Sequence, residues 1–462
     1  MNIPNPPIIA ADRRDPPRLN GRPVLGNLVE FRSDPAEALF QAWKQAGDVF
    51  TYKVGPRKFQ VICDPLLAQE VLIQQKQIFQ RPRAFNGGTP LTYLLGTSIL
   101  TVDGDLWLSK RRLMQPIFHK TRIQAMGGQM AAAGEQMLAR WAALPPREWL
   151  NLSEEMKLVT LDIINRTMFS VDVLPEVDRV GKIVDIGLRY IQNRVNALVR
   201  LPDTWPTPAN VNFQREKAVL DEFLYRVIRE RRASSEHSGD LLDMLLEARD
   251  EDTGQGMNDE QVRNEVASIY GAGHETTAVT LSWVWLALNQ NPEVLARLQQ
   301  EVDTVLQGRL PVLSDLPNLP YTSAVIEETL RVYPPVPLTV RLAEQDAQVG
   351  GFHIPKGSLM AISIFNIHRH PDYWQDPLAF RPERFLPENK AGLNRAAFIP
   401  FLTGPHLCIG NNFAMLEGQL LLAMIVQRYV LRLDPALPVG RDIALTMRPR
   451  GGLPVRLEPR EG

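Results

Sequence analysis

Cysteine is almost missing from this chain: Cys63 and Cys408 are the two among 462 residues. Two cysteines cannot build a multi-bridge framework, and Cys63 falls in the apolar run Phe59 to Cys63, where burial in a strand is expected. Net charge is nearly absent too, at -1 from 51 basic and 52 acidic residues, which excludes the electrostatic footprint of a nucleic-acid binder. The segment Met1 to Gly26 is rich in proline and arginine and lacks both the apolar core of a signal peptide and the roughly 20-residue run that spans a bilayer. A cytoplasmic protein without a membrane anchor is expected. What the chain does have is 44% apolar residues, enough to bury a cofactor.

Periodicity and breakers predict a mainly α fold with minor β sheets, as one large domain over 35–462 behind a proline-rich arm, 1–34. Pro35 to Ala46 reads as a short helix. Val49 to Val54 and Lys58 to Cys63 read as strands joined by Gly55-Pro56, a small β region near 49–63. Helical patterns dominate from Pro65 to about Tyr333, extended segments return near 339–364, and a last long helix is expected from Asn411 to Val430.

Cys408 sits in Phe401-Leu402-Thr403-Gly404-Pro405-His406-Leu407-Cys408-Ile409-Gly410, directly ahead of that helix. Gly404 and Gly410 permit close approach of a flat macrocycle, and amide hydrogens at the helix start favour an anionic sulfur. Taken alone, the same cysteine reads equally as a buried free thiol.

A second segment carries polar chemistry inside an apolar helix. Asn258 with Gln261 three residues on has the form of a capping box, and Pro292 closes the pattern, giving a helix about 50 Å long at ~1.5 Å per residue. Its middle is Gly271-Ala272-Gly273-His274-Glu275-Thr276-Thr277, where small residues admit a bulky planar group. There the Thr276 hydroxyl faces a backbone carbonyl or a ligand, and Glu275 exchanges protons with solvent. A glycine-weakened packing helix is the alternative. Further on, Glu328 and Arg331 stand three apart on a predicted helix ending before Pro334-Pro335, so they meet on one face.

Together these segments resemble the cytochrome P-450 superfamily of haem-thiolate monooxygenases. The loop matches at Phe401, Gly404, His406, Cys408 and Gly410, with Ala414 following, although members more often have Gly at Leu402 and Arg at His406. The resemblance implies haem b (iron protoporphyrin IX) between the long central helix and the cysteine-loop helix, with Cys408 as metal ligand and Phe401, Gly404, Gly410, Ala414 and Ala272 lining the cofactor. It implies that Thr276 and Glu275 are the alcohol and acid that deliver protons for oxygen activation, and that Glu328, Arg331 and Arg384 of Pro382-Glu383-Arg384-Phe385 form a structural network. Trp107, Arg111, Arg341 and His406 are the implied propionate partners.

The expected activity is hydroxylation or epoxidation of a lipophilic substrate (fatty acid, terpenoid, carotenoid or steroid) with dioxygen. The likeness also implies separate electron donors, a ferredoxin or flavodoxin with its NAD(P)H-dependent reductase, steered by the basic cluster Lys110, Arg111, Arg112, His119, Lys120 and Arg122. Pocket walls are expected from Phe85 to Ile99, Ile186 to Leu201, Ile269 to Thr276 and Val336 to Val340. A peroxide-driven relative and a non-catalytic haem sensor are the alternative readings.

Overall fold

The computed structural model describes residues 14–82, 90–145, 148–170, 202, 204–235, 237–250, 254–436, 439–443 and 445–460, with scattered positions between 183 and 194. Proline at the first position starts several helices. Pro35 opens α1 (Pro35–Ala46), whose Asp34 cap accepts from the Glu37 amide, because proline's missing N–H is one of the donors a first turn cannot use. Alternating patterns then form β1 (Val49–Val54) and β2 (Arg57–Ile62), paired antiparallel with Val49 opposite Ile62 and Val54 opposite Arg57.

With β3 (Phe79–Gln80), β4 (Leu338–Ala343) and β5 (Leu359–Ser363), these strands make a five-stranded sheet in the order β1-β2-β5-β4-β3. The β2–β5 pair is parallel, which joins segments some 300 residues apart and lays Arg341 of β4 opposite Met360.

Five helices of the helical body bear on the site: α2 (Gly104–Met114), α3 (Leu152–Phe169), α4 (Asp259–Gln290), α5 (Pro320–Val332) and α6 (Asn411–Arg428). The capping box of α4 is present: the Asn258 side chain accepts from the Gln261 amide and the Gln261 side chain accepts from the Asn258 amide, both at 2.9 Å. From Val262 to Leu288 every residue of α4 is buried except Gly271, Ala272, Gly273 and Thr276, so the helix runs through the core and its one break in packing falls on the small-residue run.

The last helix ends at Arg428 rather than at Val430, because Tyr429–Leu433 pairs as a strand with Pro454–Pro459. That sheet then folds back toward the core through the hairpin β6 (Arg441–Ile443) and β7 (Met447–Pro449). Among the described residues no helix is long and apolar enough to cross a membrane.

Under the sulfur loop lies a buried ion network. Arg331 donates to both oxygens of Glu328 at 2.7 Å, to the carbonyls of His368, Pro377 and Ala379 at 2.7 to 2.9 Å, and is fully buried. Arg384 Nε stands 3.4 Å from Glu328 Oε1, an ionic contact too long and bent for a hydrogen bond, while the Arg381 amide donates to that oxygen at 2.7 Å. One helix face thus ties α5 to the segment 368–384.

Candidate active site

A cavity of about 320 Å³ lies between the middle of α4 and the loop ahead of α6. The loop contributes Phe401, Leu402, His406, Cys408, Gly410 and Ala414, and α4 contributes Ala272, Gly273, Thr276, Thr277 and Thr280. Trp107 and Arg111 of α2 join the wall, as do Ile99, Ile269 and Val336 from the expected apolar segments, with Pro335 beside them; 85–89, 188, 192 and 195–201 of those segments lie outside the described residues.

The loop is closed by its own backbone. The Cys408 amide donates to Phe401 O at 2.9 Å, the Leu407 amide to Gly404 O at 3.2 Å, and the Ala414 amide to Gly410 O at 2.9 Å. Gly404 has φ +72, and a Cβ there would stand 2.7 Å from Leu72 O, so glycine is required. Leu402 takes φ +61, a left-handed conformation that costs an L-residue roughly 1 to 2 kcal/mol. The turn that glycine makes in most family members is therefore made here by leucine, whose side chain packs on the cluster around Leu72 and Ile399.

Cys408 is accessible because its sulfur opens on the cavity. Burial pushes the thiol up from its ordinary value, while the Gly410 amide and the Arg111 guanidinium pull it down. Burial outweighs both, so a cation bonded to the sulfur would add to the stabilisation that the amide and Arg111 give the anion.

Charged groups collect at one edge. Arg341 is buried, with Nη1 donating to Thr339 Oγ1 at 3.0 Å and Val340 O at 2.9 Å, and Arg111 donates to Leu407 O at 2.9 Å. Arg81, which carries no motif in the sequence, lines the same cavity and donates to the carbonyls of Ile99 and Val102. Burial, then repulsion from Arg341, lowers Arg81 to about 10.

The opposing carboxylate is Asp103, capping α2. Burial raises it, but His406 and the backbone amides of Arg81 and Gly104 outweigh burial and hold it at about 2. His406 gives its Nε2 hydrogen to Asp103 at 3.1 Å and packs on Trp107 at 4.5 Å between ring centres; burial lowers the imidazole from its ordinary value, so Nδ1 of the neutral ring is an acceptor and cannot hold a cofactor carboxylate, contrary to the expected propionate role.

Three features depart from the sequence reading. Thr276 lines the cavity, with Oγ1 donating to Ala272 O at 2.9 Å, but Glu275 is buried, does not line it, and accepts from Thr446 Oγ1 at 2.8 Å instead of meeting solvent. Lys110 leaves the basic surface cluster: it is buried and bonded at 2.8 Å to Glu265 of α4, whose other oxygen accepts from the Ile99 amide. Arg112, His119, Lys120 and Arg122 stay exposed, while Arg111 turns partly inward.

The third was not visible in the sequence at all. Glu417 of α6 is fully buried and neither oxygen has a hydrogen-bond partner, since the neighbouring Thr277 hydroxyl turns to Gly273 O at 3.3 Å.

Burial holds the Glu417 carboxyl well above 4.5, and Thr277 offsets little of this. A raised carboxyl binds its proton more tightly in the fold than in the open chain, so stability falls as pH rises above the open-chain value, until the folded group itself ionises. Glu417→Gln is expected to flatten the decline in Tm between pH 5 and pH 8. An unchanged slope in thermal scans across that range would show the carboxyl is ionised in the fold.

A thiol opening on an enclosed apolar cavity, across from a helix hydroxyl and beside surplus positive charge, defines the haem-thiolate class. The sequence model of the Cytochrome P450 family matches residues 16–450, and the chain belongs to that family. It is an oxidoreductase of the monooxygenase kind, in a family that binds haem iron through a cysteine thiolate.

Similar proteins include cyclooctat-9-en-7-ol 5-monooxygenase of Streptomyces melanosporofaciens, 34% identical over 95% of this chain and 94% of that protein. Pentalenene oxygenase of Streptomyces avermitilis is 31% identical over 92% of each. Leukotriene-B4 omega-hydroxylase 3 of Mus musculus is 34% identical over 79% of this chain and 74% of that protein. Among solved structures, the cytochrome P450DA heme domain superposes with a TM-score of 0.89 at 28% identity, over 97% of this chain and 98% of the other.

The site fits haem on its own chemistry. The sulfur is accessible from the cavity, and a Cβ at Gly410 would meet nothing within 4 Å, which leaves open space over the loop. Arg81, Arg111 and Arg341 against the single carboxylate Asp103 leave two positive charges, the complement of two propionates.

Proposed function

We propose that this protein hydroxylates or epoxidises a lipophilic substrate of terpenoid type, using haem b bound through Cys408 and electrons from a separate ferredoxin or flavodoxin with its NAD(P)H-dependent reductase. The observation that carries the reading is the shared cavity, which sets the Cys408 thiol and the Thr276 hydroxyl in one space whose wall is mostly apolar away from the edge formed by Arg81, Arg111 and His406. Bound there, haem supplies the reductive activation of dioxygen, one atom going to the substrate and the other to water.

The protein's own residues do the rest. Cys408 donates electron density from its thiolate. Arg81, Arg111 and the neighbouring Arg341 hold the propionates, with His406 fixed against Asp103 and Trp107 at the same edge. Thr276 holds a proton at Oγ1 on the cavity side, and Glu275 is its proton source. Ile99, Leu100, Ile269 and Val336 exclude water and enclose hydrocarbon, which favours the terpenoids acted on by similar proteins over substrates needing a charged anchor. Exposed Arg112, His119, Lys120 and Arg122 steer an acidic electron donor.

Supplying reduced ferredoxin and oxygen with a panel of cyclic terpenes, and analysing products by mass spectrometry, tests the reading; products one oxygen heavier are expected, and turnover with peroxide alone would replace the mechanism. In the same assay Thr276→Ala is expected to keep its haem but divert most reducing equivalents to hydrogen peroxide, a loss of about 10² in coupled rate for one proton-transfer group. Coupling equal to wild type would remove Thr276 from proton delivery.

A further inference from the structure

The acid beside the cavity threonine faces away from the cavity. Glu275 is 5% exposed, and its Oε1 accepts from the Thr446 hydroxyl, 171 residues further along the chain. Thr446, itself 5% exposed, belongs to the tip of the β6–β7 hairpin, beside Leu445, which is 37% exposed. The hairpin is fixed at that place from two directions. The Met447 amide donates to Pro335 O at 2.8 Å, and Trp283 Nε1 of α4 donates to Met447 O at 2.7 Å. Pro335 is itself a wall of the cavity.

We propose that Thr446 is a positioning residue that parks the buried Glu275 on the side of α4 away from the cavity, toward the hairpin tip by which a proton reaches the carboxyl from solvent, and that the side chain leaves this hydrogen bond to serve Thr276. A buried carboxyl needs a partner in both of its protonation states. A hydroxyl meets that need: it donates to the carboxylate, and after rotation about one C–O bond it accepts from the carboxylic acid. Backbone amides would hold only the ionised form and would not release it. In each turnover Glu275 gives one proton toward Thr276 and regains one from water while beside Thr446, so the carboxyl returns to its starting state.

The inference rests on the reading of Glu275 as proton source, and the test separates the two. Thr446→Val keeps the shape of the side chain and removes the hydroxyl, and Thr446→Ser restores it. In the haem-loaded protein, Thr446→Val is expected to lower the ratio of product to NADH consumed by roughly tenfold, the effect of losing one hydrogen bond to a charged group, and Thr446→Ser to recover it. Independently of turnover, the Glu275 carboxyl band is identified in infrared difference spectra by its loss in Glu275→Gln. It is expected to move in Thr446→Val and return in Thr446→Ser.

Wild-type coupling and an unmoved band in Thr446→Val, with Glu275→Gln uncoupled, overturn the role of Thr446. Wild-type coupling in Glu275→Gln overturns instead the assignment of the acid.

Discussion

Cys408→Ser, loaded with haem, is expected to lose product formation to background and to lose the strongly red-shifted absorption band of the reduced carbon monoxide complex. Burial works against a free thiolate at this position, and the Gly410 amide and Arg111 compensate only in part. Haem iron held by this sulfur would supply the remaining stabilisation, and the thiolate would donate electron density that favours O–O cleavage. A serine oxygen keeps the size of the side chain and most of the loop's hydrogen bonds, which run between backbone atoms. Loss of the band with retained folding therefore isolates the sulfur, and persistence of the band in Cys408→Ser would mean that another residue is the ligand.

Arg331→Met carries the largest expected effect on stability. The substitution preserves length and apolar volume but leaves Glu328 fully buried with its two shortest ionic bonds gone, and frees the carbonyls of His368, Pro377 and Ala379. Removing one partner of a buried pair costs about 3 to 5 kcal/mol, because the remaining charge loses its main counter-ion. Arg384 at 3.4 Å and the Arg381 amide at 2.7 Å remain but replace neither of the two 2.7 Å bonds from Arg331. Denaturant unfolding is expected to show this loss, together with weakened haem retention, since the segment 368–384 packs beneath the sulfur loop. The double variant Glu328→Gln with Arg331→Met is expected to be more stable than Arg331→Met alone, because it removes the stranded charge. A single variant within 1 kcal/mol of wild type would place the network outside the stability core.

Much of this site is legible residue by residue. The capping box at Asn258, the glycines at 404 and 410, and the three-residue spacing of Glu328 and Arg331 are local patterns whose physical causes act within one turn of chain. The orientation of Glu275 is different in kind. On α4 its side chain lies one residue, and so roughly 100°, around the helix from Thr276, and a helix at that position has both a cavity side and an outer side. Thr446, brought by a hairpin from the far end of the chain, decides which is used. Lys110 is similar: its neighbours Arg111 and Arg112 are basic and at least partly accessible, yet Glu265 from α4 draws it inside.

The sequence by itself therefore determined the class of chemistry, the cysteine and threonine that share the cavity, and the mainly helical order of elements, because those rest on residue type and spacing over short distances. Only the tertiary structure decided that Arg81 and Asp103 stand at the cavity edge, that Glu417 is buried without a hydrogen-bond partner among the described residues, and that Glu275 faces Thr446. Each depends on which groups meet across more than a hundred residues. Burial then sets the cost or benefit of their charge, and no local pattern encodes either.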